Sequence, residues 1–593
     1  MTSVLASKVY LSNEAFVNNL NVTSVNLNNV EWTNNSMYGA FQGCNNITNI
    51  TGINDNVQSM VIAFEFTNIS SVPTLPKSAT TLHSYCWMCN SLTSIPSEYP
   101  PNVNSMYAAY WRCNGLTDVS NVNFNKPNLL SALCFSQCSN IVSIPSDISV
   151  YNCWNMFNYC SKVNFSTLNV SAYDMGGMFW MCPSLKNITV NINTPQNITY
   201  GYATRMFDSC YGLSSANILF DKNCKLSSVD SMFNGCYNLS SVNIPTIPNN
   251  LQYISSMFNN CSNLTSLSGF NLYNSNIVSM AGTFNNCSNL AINSQTLTFP
   301  SNLIHMNYTF RNCSSLENIP TIPNSVTNMS YAFSGCSNLH SVGNIPESVT
   351  YIDGTFYECS NLTSIPNIET NNLIFMNNAF YNTGVNSLSS NQASTVLDFS
   401  NQYNLINVSG AFYNIGDKFN ELRFGSEKIE GASNVIKTQS SSDVNVYIPY
   451  TYSEPGNHRV ICYKYQNNSS ELNGLLIYST VDAPNVYGTT MTNFTYPKNM
   501  VYMLNNGVFE DVGKSARILR YRYSRNYFIQ MQNSGIMPFV NTNSAYFYRD
   551  ATNDILMPYN VGDYSTTYNS FIAAGYDENG TKDGVYLKDI DNL

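Results

Sequence analysis

The chain has 593 residues, too many for one compact core, and only 10% of them are charged, against roughly 25% in ordinary soluble domains. Its net charge of −10 argues against a nucleic-acid partner, because phosphate binding needs concentrated Lys and Arg and the chain has 25 in all. No run approaches the roughly 18 apolar residues of a membrane span, so no membrane insertion is expected.

The first residues, Met1-Thr-Ser-Val-Leu5, show no basic start leading into an apolar stretch. That is not the pattern of a secretory signal, and synthesis in a host cytoplasm is expected. From near the N-terminus to about residue 430 the chain repeats itself every 22 to 28 residues. Thirteen cysteines, from Cys44 and Cys89 to Cys336 and Cys359, hold one place in the unit. Asn19, Thr67, Thr383 and Ile415 hold it in degenerate copies, which makes about 17 units.

Counted from that cysteine, a mostly apolar residue lies seven before (Met37, Met106, Ile254) and Phe three before (Phe41, Phe258, Phe310). Leu lies three after (Leu92, Leu264) and Ile or Val six after (Ile95, Val242). Steps of four and three predict Met, Phe and Cys on one face of a short helical segment. The Leu-x-x-Ile portion predicts a short strand, ended by proline in Ile95-Pro96 and Ile319-Pro320. Stacked units would share the core that a single unit cannot close.

Buried, reduced thiols are the expected state of the cysteines. Cys86-Trp-Met-Cys89 has the spacing of a redox or zinc pair, but it arises where two core positions coincide. No catalytic motif appears, so no enzymatic activity, cofactor or metal is expected.

Two before the cysteine most units carry a polar residue, such as Gln42, Asp208 or Asn234, which predicts a solvent-facing position. Trp87, Trp111 and Trp180 occupy it, and His83, Tyr107 and Trp154 lie at the place four residues earlier. Exposed aromatic faces hold sugar rings or anchor partner proteins. The same residues equally serve to cover one another or to pack against a neighbouring chain. Trp87, Trp111, Trp154, Trp180, Tyr107 and His83 are thus the candidate ligand-binding residues.

Residues 431–443 read as a boundary, and residues 444–593 as a Tyr-rich, β-containing domain. Nineteen of the 41 tyrosines fall after residue 440. Alternation around Arg517–Arg525 nominates Tyr521, Arg522 and Tyr523 for an assembly contact with particle proteins or sister chains.

The strings Ala-Phe-x-x-Cys-x-x-Leu-x-x-Ile and Ser-Met-Phe-x-x-Cys-x-Asn-Leu resemble the BspA-like leucine-rich repeats of bacterial surface proteins. The segment Val446-Tyr-Ile-Pro449 is similar to the strand that closes such arrays. The resemblance implies an α/β leucine-rich-repeat solenoid, with short helical segments and a parallel sheet, over residues 1–430. It also implies a surface adhesin that binds a host cell-surface glycan or protein. Without a signal or wall anchor, the expected setting is a bacteriophage virion, as a tail-fibre or host-attachment component. A virion decoration without a ligand, a cellular adhesin and a polysaccharide-degrading spike are the alternatives.

Overall fold

A computed structural model describes residues 8–444 except 222, 274, 292–296, 390–392, 427–428, 430–434 and 441–443. Beyond 444 it describes the backbone of strands Val444–Thr451, His458–Tyr465, Leu472–Thr480, Val501–Asn505, Val508–Glu510, Ala545–Arg549 and Leu556–Tyr559. The chain forms two compact units, residues 1–326 with 335–337, and residues 327–334 with 338–593.

In the first unit, consecutive repeats contribute the strands of a seven-stranded parallel sheet in chain order. These are Phe124–Leu130, Asp147–Asn152, Thr167–Ser171, Asn187–Asn193, Ser215–Phe220, Ser241–Asn243 and Ser266–Ser268. Alternation drives them: Ile188, Val190 and Ile192 are buried, while Thr189 and Asn191 point outward. Where proline follows at once, the strand shrinks to three residues (Ser241–Asn243, before Ile244-Pro245) or to a single bridge (Ser71 with Ser94).

The helical expectation for the Met-Phe-Cys stretch is wrong. Among the described residues there is no α-helix, only a 3₁₀ turn at Thr33–Asn35. In all seventeen units the residues five and one before the cysteine position have positive φ, as at Ser256 and Asn260, or Gly354 and Glu358. A positive φ cannot continue a right-handed helix, but it is what the third residue of a type II turn requires. The stretch is therefore a run of turns. Around Cys261, the Met257, Asn259 and Cys261 amides donate to the Ile254, Ser256 and Phe258 carbonyls, at 3.0–3.1 Å. The alternate amides of Ile254, Ser256, Phe258 and Asn260 donate to the next repeat, at Ser279, Ala281, Thr283 and Asn285. Two such turns return Met, Phe and Cys to the inside with the same four-three spacing that a helix would give.

Left-handed backbone costs an L-residue roughly 1–2 kcal/mol, and Gly or Asn the least. That is why Gly235, Gly282 and Gly335 or Asn286, Asn312 and Asn414 recur at these places. At Gly335 a Cβ would meet Asn312 Oδ1 at 2.2 Å, so any other residue there would have to displace the Asn312 amide. Neighbouring asparagines add a ladder: Asn312 Nδ2 donates to Asn286 Oδ1 and Asn286 Nδ2 to Asn260 Oδ1, both at 2.7 Å.

The phenylalanines form a stacked column inside. Phe258 lies 5.7 Å from Phe233 and 5.6 Å from Phe284, nearly parallel to both. In the second unit Phe356, Phe380 and Phe412 stack at 5.3 and 5.5 Å. Where Cys86 replaces phenylalanine, the fully buried Tyr85 beside it fills the volume.

Each of the thirteen ladder cysteines donates its S–H to the backbone carbonyl at the Phe position of the preceding repeat, at 2.8–3.1 Å. Most of these carbonyls, those of Phe233 and Phe258 among them, already accept the amide closing their own turn, so the thiol satisfies the second lone pair. Thr283, Thr309 and Thr355 make the equivalent bond one turn earlier, to the carbonyls of Ile254, Met280 and Met329. Among the described residues seventeen cysteines are buried free thiols, Cys86 and Cys89 included. Burial pushes the thiols of Cys138, Cys210, Cys287 and Cys336 up to about 12.

Thiol reagents attack thiolates, so few ladder cysteines are expected to react in the native protein and all of them after denaturation. Mass counting of modified thiols checks this; extensive native labelling would contradict it.

In the second unit, Glu421–Phe424 lies beside Val444–Thr451 in parallel, and His458–Tyr465 and Leu472–Thr480 follow antiparallel. Val446 pairs with Leu422 on one side and Tyr463 on the other, so the segment following the repeats occupies the sheet's next position.

Candidate functional site

The outward residues of the turn run are the second residues of successive turns, two and six before the cysteine. They share a side because each turn repeats the other's geometry, not because of a helical period. The residue two before does not simply face solvent, as the polar pattern had predicted. Glu65, Ser136, Asn158 and Asp208 are buried there. Successive repeats stack at about the strand spacing of 4.8 Å, so side chains at one position cover those of the next.

The tryptophans follow this rule. Trp87 and Trp111 are half-buried and stacked face to face, 4.8 Å apart and 7° from parallel, with Phe66 extending the stack at 6.4 Å. Their indole nitrogens are buried without a hydrogen-bond partner. Trp180 is half-buried under the Arg205 guanidinium, 4.3 Å from the ring centre, with Tyr159 edge-on at 5.1 Å. Arg205 is held in place by Asp208 at 2.8 Å. Tyr107 is half-buried against His83, whose imidazole is exposed yet desolvated enough for its pKa to be lowered. Trp154 is 41% exposed. The structure thus brings the nominated residues to one side, as three separate stacks and one open ring. Tyr521, Arg522 and Tyr523 lie outside the described residues.

Two further surfaces escaped the sequence reading. In the second unit the position two before the cysteine carries Tyr357, Tyr381 and Tyr413, stacked at 4.9 Å each. In the first unit a second parallel ladder runs just before the turns, through Tyr202, Ser228, Tyr253, Ser279 and His305. Beside it lies a groove of about 860 Å³ lined by tyrosines and amides. Aromatic residues recurring one or two places before the Met position (Tyr151, Tyr173, Tyr202, Tyr253) were the available signal.

The outer face of the main sheet holds another groove, of about 680 Å³. Its asparagines satisfy one another: Asn191 donates to Asn169 and Asn169 to Asp147, both at 2.6 Å. Ser146 and Asn169 donating to Asp147 hold its carboxyl below the usual range. Among the described residues no group of three or more His, Cys, Asp or Glu is placed to hold a metal ion. No helix among them is long and apolar enough to cross a membrane.

A family model for the BspA type leucine-rich repeat region matches in six copies, over residues 9–142, 108–210, 154–291 and 281–407. No curated protein matches the chain. Among solved structures, the chain is similar to a leucine-rich repeat protein from Bacteroides ovatus, at 20% identity over 60% of this chain and 81% of that one, TM-score 0.38. It is also similar to the T. pallidum leucine-rich repeat protein, at 24% identity over 29% and 77%, TM-score 0.23. The pneumococcal vaccine antigen PcpA matches at 14% identity over 61% and 79%, TM-score 0.30.

Proposed function

This chain belongs to the BspA-type leucine-rich repeat family, and from that premise we propose that it is a non-enzymatic binding protein whose repeat surface engages a host cell-surface glycan or protein. The family is a binding scaffold in general, which supports the coarse reading. The finer one is carried by a single observation, an open aromatic ring on a backbone whose hydrogen bonds are already used. Trp154 presents that ring beside the other stacks. Its setting is proposed to be a virion of a bacterial virus, on the Asn-rich, charge-poor composition of the repeats, with residues 444–593 joining it to the particle or a sister chain. Antibody labelling of intact particles tests that placement.

Binding of the full-length chain to intact bacterial cells tests the function. Trp154→Ala is expected to weaken it about ten-fold without changing the melting curve, as an interface aromatic contributes on the order of 1.4 kcal/mol or more. Trp87→Ala with Trp111→Ala should weaken binding and also lower stability, because each ring covers the other. Undiminished binding in both variants would move recognition off this stripe. The Trp87–Trp111 stack also favours a second reading, a structural decoration without ligand, which predicts no cell binding by the wild-type chain.

A further inference from the structure

We propose that the groove beside the second ladder, within residues 199–325, binds a neutral polysaccharide lying across successive repeats. The inference rests on the reading of the chain as a surface-binding protein, but it assigns a different face from the tryptophan stripe.

The first argument is the chemistry of the lining. Tyr200, Tyr202 and Tyr253 supply aromatic faces, and Val278 and Ile304 continue the apolar strip on the next repeats. Tyr200 is 49% exposed although it packs edge-on to Tyr202 and tilted on Tyr173, and Tyr253 is 42% exposed with no ring contact among the described residues. Sugar rings present C–H faces to such surfaces and hydroxyls around their rims, so they need aromatic planes flanked by donors and acceptors.

The flanking groups are amides and hydroxyls. The side chains of Asn250, Gln252 and Asn302 are exposed and make no hydrogen bond within the described protein. This contrasts with the main sheet, where Asn169 and Asn191 are consumed by one another. An amide offers both a donor pair and an acceptor, which matches a hydroxyl better than any charged group does.

No charged side chain lines the groove. An anionic polymer would find no counter-charge there, and a cationic one no carboxylate. Spacing selects a polymer over a single sugar. The bridges Ser228–Tyr253, Tyr253–Ser279 and Ser279–His305 fix the repeats one strand spacing apart, about 4.8 Å. A pyranose unit is of similar length, so one ring per repeat keeps in step.

The test uses the full-length chain in affinity electrophoresis through gels containing amylose, dextran, laminarin or mannan, with polygalacturonate as the anionic control. At least one neutral polymer is expected to retard the wild type, and polygalacturonate is not. Tyr200→Ala with Tyr253→Ala should raise the dissociation constant about ten-fold or more at an unchanged melting temperature. Gln252→Ala should give a smaller loss, and it keeps the test valid if the tyrosine pair disturbs the ladder. Retardation by no neutral polymer, equal retardation by polygalacturonate, or binding that survives all these substitutions would overturn the proposal. Cell binding without retardation sinks the groove alone, whereas retardation without cell binding sinks the cell-surface reading alone.

Discussion

Replacing Phe258 with alanine is expected to cost about 3–5 kcal/mol. The ring is fully buried, stacked on both Phe233 and Phe284, and edge-on to Phe270 at 5.8 Å. Its neighbours on either side are held by rung-to-rung hydrogen bonds, so they cannot collapse into the cavity. Truncation therefore loses the transfer energy and keeps the void. The loss should appear as a lowered urea midpoint. Because repeats couple mainly to their neighbours, it should also appear as an earlier, local transition near residues 230–290 in hydrogen exchange. Phe258→Leu should cost clearly less. An alanine variant within about 1 kcal/mol of wild type would mean that the column is not what holds the repeats together.

The second large effect is alkaline unfolding. Cys138, Cys210, Cys287 and Cys336 have folded pKa values near 12, against 9.0 for the ordinary thiol, because burial penalises the thiolate. The folded state thus holds these protons more tightly than the unfolded one. Their stabilisation is complete below pH 9 and is lost as pH rises toward 12, at about 1.4 kcal/mol per thiol per pH unit. The loss at each of the four thiols falls on its own repeat and the neighbours, so these parts of the array are expected to unfold between pH 9 and 12. Circular dichroism against pH measures it. Buried Tyr85, Tyr99 and Tyr110 titrate in the same direction. The control is therefore a variant with threonine, the residue native to Thr67 and Thr383, at several ladder cysteines. An identical midpoint in that variant would remove the thiols from the explanation.

The repeat, its register and its inward residues were legible in the sequence because burial selects Phe, Cys and Leu at every unit. The backbone between them was not. A four-three spacing is shared by a helix and by two linked turns, and only the third residues of the turns tell them apart. Gly and Asn recurring five and one before the cysteine, as at Gly39, Gly43, Gly282 and Asn286, carried that information. The candidate site was legible only as a list. Sequence placed Trp87, Trp111, Trp154 and Trp180 on one side, but stacking decides which rings stay open, and stacking depends on the repeat next door. The groove near Tyr253 was missed because its amides look like ordinary surface until the asparagines of the main sheet prove to be already engaged.

The turn run has a consequence for how such a chain changes length. Along residues 254–261, alternate amides face the following repeat, and the Cys261 thiol faces the preceding one. Every repeat is thus at once a receiver and a giver, with the same atoms presented above and below. Duplication or loss of a whole unit leaves each junction as it was. A partial insertion within these turns would set donors against donors. Between the start of the strand and the ladder that precedes the turns the spacing is not fixed, and the variation from 22 to 32 residues between cysteine positions is absorbed there. Evolution can therefore count in whole rungs, and reach becomes a quantity adjusted by copying.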